Sequence, residues 1–272
     1  MGKSGGKSGG FAEGGRGLRR RAEWTVAILV LLSVPALWLL VQQASPTSVA
    51  SVEMPATQEI SPPQPPEASR GNDGDGDVGR CDDPRVLVDR THALPAGYAP
   101  DDLVSLKYLG VPVLGRDALL RREAAENLAR MVTSAAAAGE ELTVASAYRS
   151  YEDQRTSYER LVSVFGRDAD KTSAPPGHSQ HQLGTAVDFT NGIVGYELLQ
   201  GFGRTSASLW LKEHAHEHGF VLAYPSGRGR DTGYHWEPWH YRYVGAENAR
   251  RVREGPLDLQ GYLKQQGVLP SC

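Results

Sequence analysis

Two short clusters of histidine and carboxylate constrain this chain more than any other feature, because they make chemical sense only if the fold brings them together. The first is His178-Ser179-Gln180-His181-Gln182-Leu183-Gly184-Thr185-Ala186-Val187-Asp188, and the second, well downstream, is Glu237-Pro238-Trp239-His240. Three of these side chains, His181, Asp188 and His240, can hold a metal ion and leave its fourth position to water. That open position separates catalytic from structural zinc. Glu237, three residues before a ligand, is placed to take a proton from such a water.

The local sequence says how the clusters can be built. Pro175-Pro176-Gly177 and Gly184 argue against one helix carrying both His181 and Asp188,. Thr185 to Phe189 alternates like a strand, with Ala186 and Asp188 on one face and Val187 and Phe189 on the other,. A regular strand would send Glu237 and His240 to opposite faces. Pro238 between them makes a bulge or tight turn the expectation, so that both side chains reach one side. The blander alternative is a polar surface loop and an unrelated aromatic strand.

Several separated motifs give the chain a family likeness. Val86-Leu87-Val88 and the stretch Leu94-Pro95-Ala96-Gly97-Tyr98-Ala99-Pro100-Asp101-Asp102-Leu103 come first. Ser146-Ala147-Tyr148-Arg149-Ser150-Tyr151 with Gln154 follows, then Ser179-Gln180-His181 and Gly184-Thr185-Ala186-Val187-Asp188. Gly233-Tyr234-His235-Trp236-Glu237-Pro238-Trp239-His240-Tyr241-Arg242-Tyr243-Val244-Gly245 closes the set. From Val86 to Leu263 the chain resembles the VanY-type zinc D-alanyl-D-alanine carboxypeptidases, relatives of the lysostaphin-like peptidases and of the Hedgehog signalling domain. The resemblance implies an α+β fold with a small antiparallel sheet and flanking helices. It implies one zinc ion per chain on His181, Asp188 and His240, with Glu237 as general base. Arg149 matches the arginine that polarises the scissile carbonyl, a role suited to a permanently charged, planar fork of donors. Ser179, Gln154 and Tyr224 fall where relatives touch the peptide or its terminal carboxylate.

By that resemblance the substrate is the peptidoglycan stem peptide, and the reaction is removal of its C-terminal D-alanine. Ligand spacing says hydrolase, not which amide. L,D-carboxypeptidase, dipeptidase or endopeptidase action on the same substrates stays open, as does a non-catalytic cell-wall-binding module on this fold. Retention of Glu237 beside a full ligand set weighs against the last, since a binder needs no base.

Charge and hydropathy set the organisation. Residues 1–23 carry six Lys/Arg against two Glu, so within a net charge of −3 the rest of the chain is distinctly acidic. Without a basic stripe around Trp236, Trp239, Tyr241 and Tyr243, no nucleic-acid partner is expected, and these aromatics are read as packing and cleft wall. Trp24 to Val41 is almost wholly apolar, near the lower length limit for crossing a bilayer,. The basic flank precedes it, so a signal anchor over 24–44 would leave residues 1–23 as a cytoplasmic tail and the C-terminus outside. A cleaved signal peptide, with Ser48-Val49-Ala50 as its best small-residue site, is the rival,. Residues 45–80 read as a disordered Pro/Gly/Asp-rich linker, and 81–272 as the peptidase domain.

Within that domain Arg116–Ala138 is expected as a long helix, with Leu120, Ala124, Leu128, Met131 and Ala135 on one face,. Leu142–Tyr148 reads as a strand delivering Arg149, followed by a helix capped by Ser150 and running to Phe165. A helix around Trp210 ends at Gly219, strands follow at Phe220–Tyr224 and Tyr241–Val244, and Leu257–Gln266 is a terminal helix,. His214 and His218 share a helix face but lack a third ligand, so a solvated face is expected there. The only two cysteines, Cys81 and Cys272, bracket the domain. In an exported protein they are a disulfide candidate.

Overall fold

The structure, a computed structural model, describes residues 80–272. The expected basic tail, the apolar segment and nearly all of the linker lie outside the described residues. Among the described residues no helix is long and apolar enough to cross a membrane.

The domain is α+β. Strands β1 (Leu103–Ser105) and β2 (Leu119–Arg121) pair antiparallel, and helix α1 (Arg122–Ala137) leaves β2 directly. This corrects the expected start of that helix at Arg116. Leu120 does join the buried stripe of Ala124, Leu128, Met131 and Ala135, but it reaches the core from β2. Strand pairing with Leu103–Ser105 is a long-range contact that overrides the local helical period.

Strand β3 (Thr143–Ser146) leads to Arg149 and to helix α2 (Tyr151–Phe165). The Ser150 hydroxyl accepts the Asp153 N–H at 3.1 Å, capping the helix as its sequence demands,. Strand β4 (Ala186–Thr190) follows a short 3-10 turn, Gln180–Leu183. Helix α3 (Ser206–His214) continues as a 3-10 turn to Gly219, whose φ of 82° only glycine adopts freely, and strand β5 (Phe220–Leu222) follows,. The short helix α4 (Gly229–Thr232), strand β6 (His240–Tyr243), and helices α5 (Ala246–Glu254) and α6 (Leu259–Gln266) complete the chain.

The main sheet runs β3-β4-β6-β5, antiparallel throughout. Both central strands are buried on both faces. One face is apolar: Val187, Phe189, Tyr241 and Tyr243 share a core with Leu128 and Met131 of α1. The other carries Asp188, His240 and Arg242, all buried. A buried polar face must find partners, and a strap of non-helical chain supplies some of them. Arg242 donates to the carbonyls of Val86 (2.6 Å) and Pro84 (3.1 Å), and the Gln182 amide donates to those of Pro95 and Tyr98. The strap is fastened to the end of the chain by a Cys81–Cys272 disulfide and by a Leu87 N–H bond to the Val268 carbonyl.

Candidate active site

The site's side chains are placed by a 3-10 turn, a strand pairing and a tight turn. His181 lies in the 3-10 turn, where the Ser179 hydroxyl accepts its N–H and Gly184, at φ 67°, ends the turn. Asp188 and His240 are directly opposed partners on β4 and β6, so the pleat points both to one face,. Glu237 comes from a tight turn closed by the His240 N–H donating to the Glu237 carbonyl at 3.1 Å. The expected turn around Pro238 is therefore present, and it leads straight into β6. Gly203 makes room for it: a Cβ there would stand 2.4 Å from the Trp236 ring and 2.9 Å from Pro238.

The ligand atoms of His181, Asp188 and His240 lie within 4.8 Å of one another, and all three residues are buried. Asp188 bridges the imidazoles, with Oδ2 at 3.2 Å from His181 Nε2 and Oδ1 at 2.8 Å from His240 Nδ1. His181 Nδ1 is 2.6 Å from the Ala147 carbonyl, which can only accept. That nitrogen must carry the proton, which leaves the Nε2 lone pair for a metal. Burial pushes the Asp188 carboxyl up, but His181 and His240 outweigh it and hold the carboxyl well below the usual range. Two imidazole nitrogens and an ionised carboxylate, buried and convergent, are a donor set that suits zinc.

Around this trio the cleft encloses about 190 Å³ and is lined by Arg149, Gln154, Ser179, Tyr224, Glu237 and Trp239, among others. All the residues expected to touch substrate are thus on its wall. Arg149 donates to Gln154 Oε1 at 2.8 Å and to Ser146 Oγ at 2.9 Å, while the Gln154 amide donates to the Ala174 carbonyl at 2.6 Å. Tyr224 stacks on His240, ring centroids 4.9 Å apart. Burial pushes the Glu237 carboxyl up to about 7. A carboxyl whose proton affinity is raised in this way has the character a general base needs.

Gln180, Ser146 and Tyr234 were not singled out in the sequence as site residues. Gln180 Oε1 lies 3.1 Å from His240 Nε2, Ser146 holds Arg149, and the Tyr234 ring packs on Tyr224 at 4.7 Å. Their position inside the motifs that carry the family resemblance was the available signal, but nothing in their residue types marked them. His214 is half-buried, bonds to Glu217 and rests against the Trp210 ring, while His178 turns away to the Asp89 carbonyl. Among the described residues, His181, Asp188 and His240 form the one group able to hold a metal.

A family model of the VanY D-alanyl-D-alanine carboxypeptidases matches residues 117–246. YodJ of Bacillus subtilis is 36% identical over 183 residues, covering 66% of this chain and 67% of YodJ. A solved LdcB LD-carboxypeptidase is also 36% identical, with a TM-score of 0.62, covering 66% of this chain and 87% of that one. The chain belongs to the VanY family. A further VanY-family likeness is to a D,D-pentapeptidase VanY from a VanB-type resistance cassette, solved with Zn(II): 30% identity, a TM-score of 0.54, and 66% and 98% coverage. This VanY-family protein is a zinc carboxypeptidase of peptidoglycan, and His181, Asp188 and His240 are its candidate metal site.

Proposed function

We propose that this enzyme is a D,D-carboxypeptidase that removes the terminal D-alanine from stem peptides ending in D-Ala-D-Ala. The observation that carries the reading is the placement of Glu237 and Arg149 on the same cleft wall as the His181-Asp188-His240 trio, in a chain of the VanY D-alanyl-D-alanine carboxypeptidase family. Zinc, when bound to that trio, polarises the carbonyl and lowers the pKa of water to about 7. Glu237 takes the proton from the attacking water and passes it to the departing amine. Arg149, held on two sides by Gln154 and Ser146, donates to the carbonyl oxygen as negative charge develops there,. Ser179 and Tyr224 orient the peptide and its terminal carboxylate, and Gln154 acts by holding Arg149.

A second reading, L,D-carboxypeptidase action, is favoured by the likeness to LdcB, with its TM-score of 0.62 against 0.54 for the D,D-pentapeptidase. Synthetic stem peptides ending in D-Ala-D-Ala or in L-Lys-D-Ala, each with and without zinc, separate the two by D-alanine release. Faster release from the first peptide supports the D,D reading, and release from the second alone replaces it. We also place the catalytic domain outside the cell, tethered through residues 24–44. The basic flank ahead of Trp24 and the Cys81–Cys272 bond support that placement,. A reporter fused after Cys272 that works only in the cytoplasm would contradict it if active.

A further inference from the structure

The two candidate histidine ligands present opposite nitrogens. His181 faces Asp188 with Nε2, and His240 faces it with Nδ1. For His181 the choice is locked by a backbone carbonyl, that of Ala147. For His240 the other nitrogen, Nε2, meets a side chain instead, Oε1 of Gln180 at 3.1 Å. Gln180 is itself 2% exposed and sits one residue before His181 in the ligand turn. The Tyr224 ring lies nearly parallel to the His240 imidazole, 19° between planes, which fixes the plane of the ring. What the stack leaves undetermined is which nitrogen is protonated.

We propose that Gln180 is a positioning residue for the metal site: its amide oxygen accepts the Nε2–H of His240 and so keeps the Nδ1 lone pair free for the ion. The inference rests on the zinc-site reading above and adds the device that makes one of its ligands competent. An acceptor on the far nitrogen both selects the tautomer and raises the basicity of the ligating one. Orientation of an amide is decided by its partners. Here a metal-directed Nδ1 requires a protonated Nε2, and a protonated Nε2 requires the oxygen of Gln180. One side-chain amide on the turn that carries His181 thus couples both ligand histidines to the same local structure. Gln182, two residues on, holds that turn to the strap through the Pro95 and Tyr98 carbonyls.

The experiment measures zinc affinity by chelator competition, without peptide, in the full chain and in Gln180→Leu, Gln180→Glu and Gln180→Asn. A ¹H–¹⁵N spectrum of the zinc-loaded proteins reads the His240 Nε2–H directly. Leu removes the acceptor and should weaken zinc binding by about 10–100-fold, with the Nε2–H signal lost to exchange. Glu keeps an acceptor and should bind zinc at least as tightly as Gln180, with the signal retained. If the Leu variant does not fold, Asn, whose carbonyl falls one methylene short, should show the same weakening. Wild-type affinity in the Leu or Asn variant, or a Glu variant as weak as Leu, overturns the proposal. Failure of the unaltered chain to bind zinc overturns the metal-site reading instead, so the two failures are distinguishable.

Discussion

Helices α1 and α2 are nearly equal in length, 16 and 15 residues, yet they are built for different ends. Helix α1 buries Ala124, Ala125, Leu128, Met131 and Ala135 against the apolar face of the sheet. Helix α2 buries only Gln154, and Val164 and Phe165 near its end stay exposed. The first earns its place by removing apolar surface from water, each large side chain contributing about 1.5–3 kcal/mol. The second brings one amide to Arg149, and besides its Ser150 cap it is supported by the ion pairs of Arg155 with Glu152 and Glu159 and by the bond of Tyr158 to Asp170. Side chains that hold the fold and side chains that serve the site are therefore segregated, and substitutions should separate stability from turnover.

The largest separation is expected at Glu237. Glu237→Gln keeps the volume but removes the proton acceptor, so turnover should fall by roughly 10²–10⁴-fold. Zinc content should remain that of the unaltered protein, because Glu237 lies outside the His181-Asp188-His240 trio. Metal analysis and D-alanine release on the same samples test both parts. Wild-type turnover in the zinc-loaded variant would assign water activation to another group.

Leu128→Ala probes the opposite side of the comparison. Leu128 is fully buried in the core of α1, so the substitution should lower unfolding free energy by about 2–5 kcal/mol. Turnover per folded molecule should be unchanged, and a fall in it would show that the apolar face tunes the site after all.

A smaller effect links the two sides. Burial lifts the Glu237 carboxyl from its ordinary 4.5 to about 7 in the metal-free protein. The folded state therefore holds its proton where the unfolded chain has lost it, and that contribution to stability is lost as pH rises from 4.5 through about 7. Glu237→Gln does not titrate. Its metal-free form should match the unaltered protein near pH 4 and exceed it above pH 7, by roughly 3 kcal/mol at most at about 1.4 kcal/mol per pH unit. Denaturant melts at the two pH values read the difference. A gain that is the same at both would mean that packing, not the buried charge, is responsible.

The two kinds of region were unequally legible in the sequence. The strand alternation of Ala186–Phe189, the Ser150 cap and the end of α2 at Phe165 follow from local rules, and the structure has them. The buried stripe of α1 was also readable, but its start was not: Leu120 continues the helical period while belonging to a strand paired with Val104. The site residues read from the family motifs all line one cleft. Gln180 escaped notice because its role depends on a β6 residue sixty positions away, brought near by strand order. Likewise the strap at residues 84–98 has little regular structure to announce itself, and its partners, Arg242 and Gln182, are read only in three dimensions.

The smallest effect is expected from α2's one buried residue. Gln154 Oε1 accepts from Arg149 at 2.8 Å, and Ser146 Oγ holds the other guanidinium nitrogen at 2.9 Å. Gln154→Ala therefore leaves Arg149 charged, in the cleft and held on one side. A hydrogen bond of this kind contributes about 1.5–3 kcal/mol at most when one partner is charged, and the Ser146 contact offsets part of its loss. Turnover should fall by about tenfold, well short of the loss from Arg149→Ala, which removes the donor to the oxyanion altogether at a cost of about 3–4 kcal/mol. If Gln154 acts only through Arg149, the double substitution should be no slower than Arg149→Ala alone, since there is no guanidinium left to position. A double variant slower than Arg149→Ala would mean that Gln154 touches the peptide itself, as its place on the cleft wall also permits. In that case the added loss should fall on KM for peptides with a free terminal carboxylate and vanish for those whose terminus is amidated.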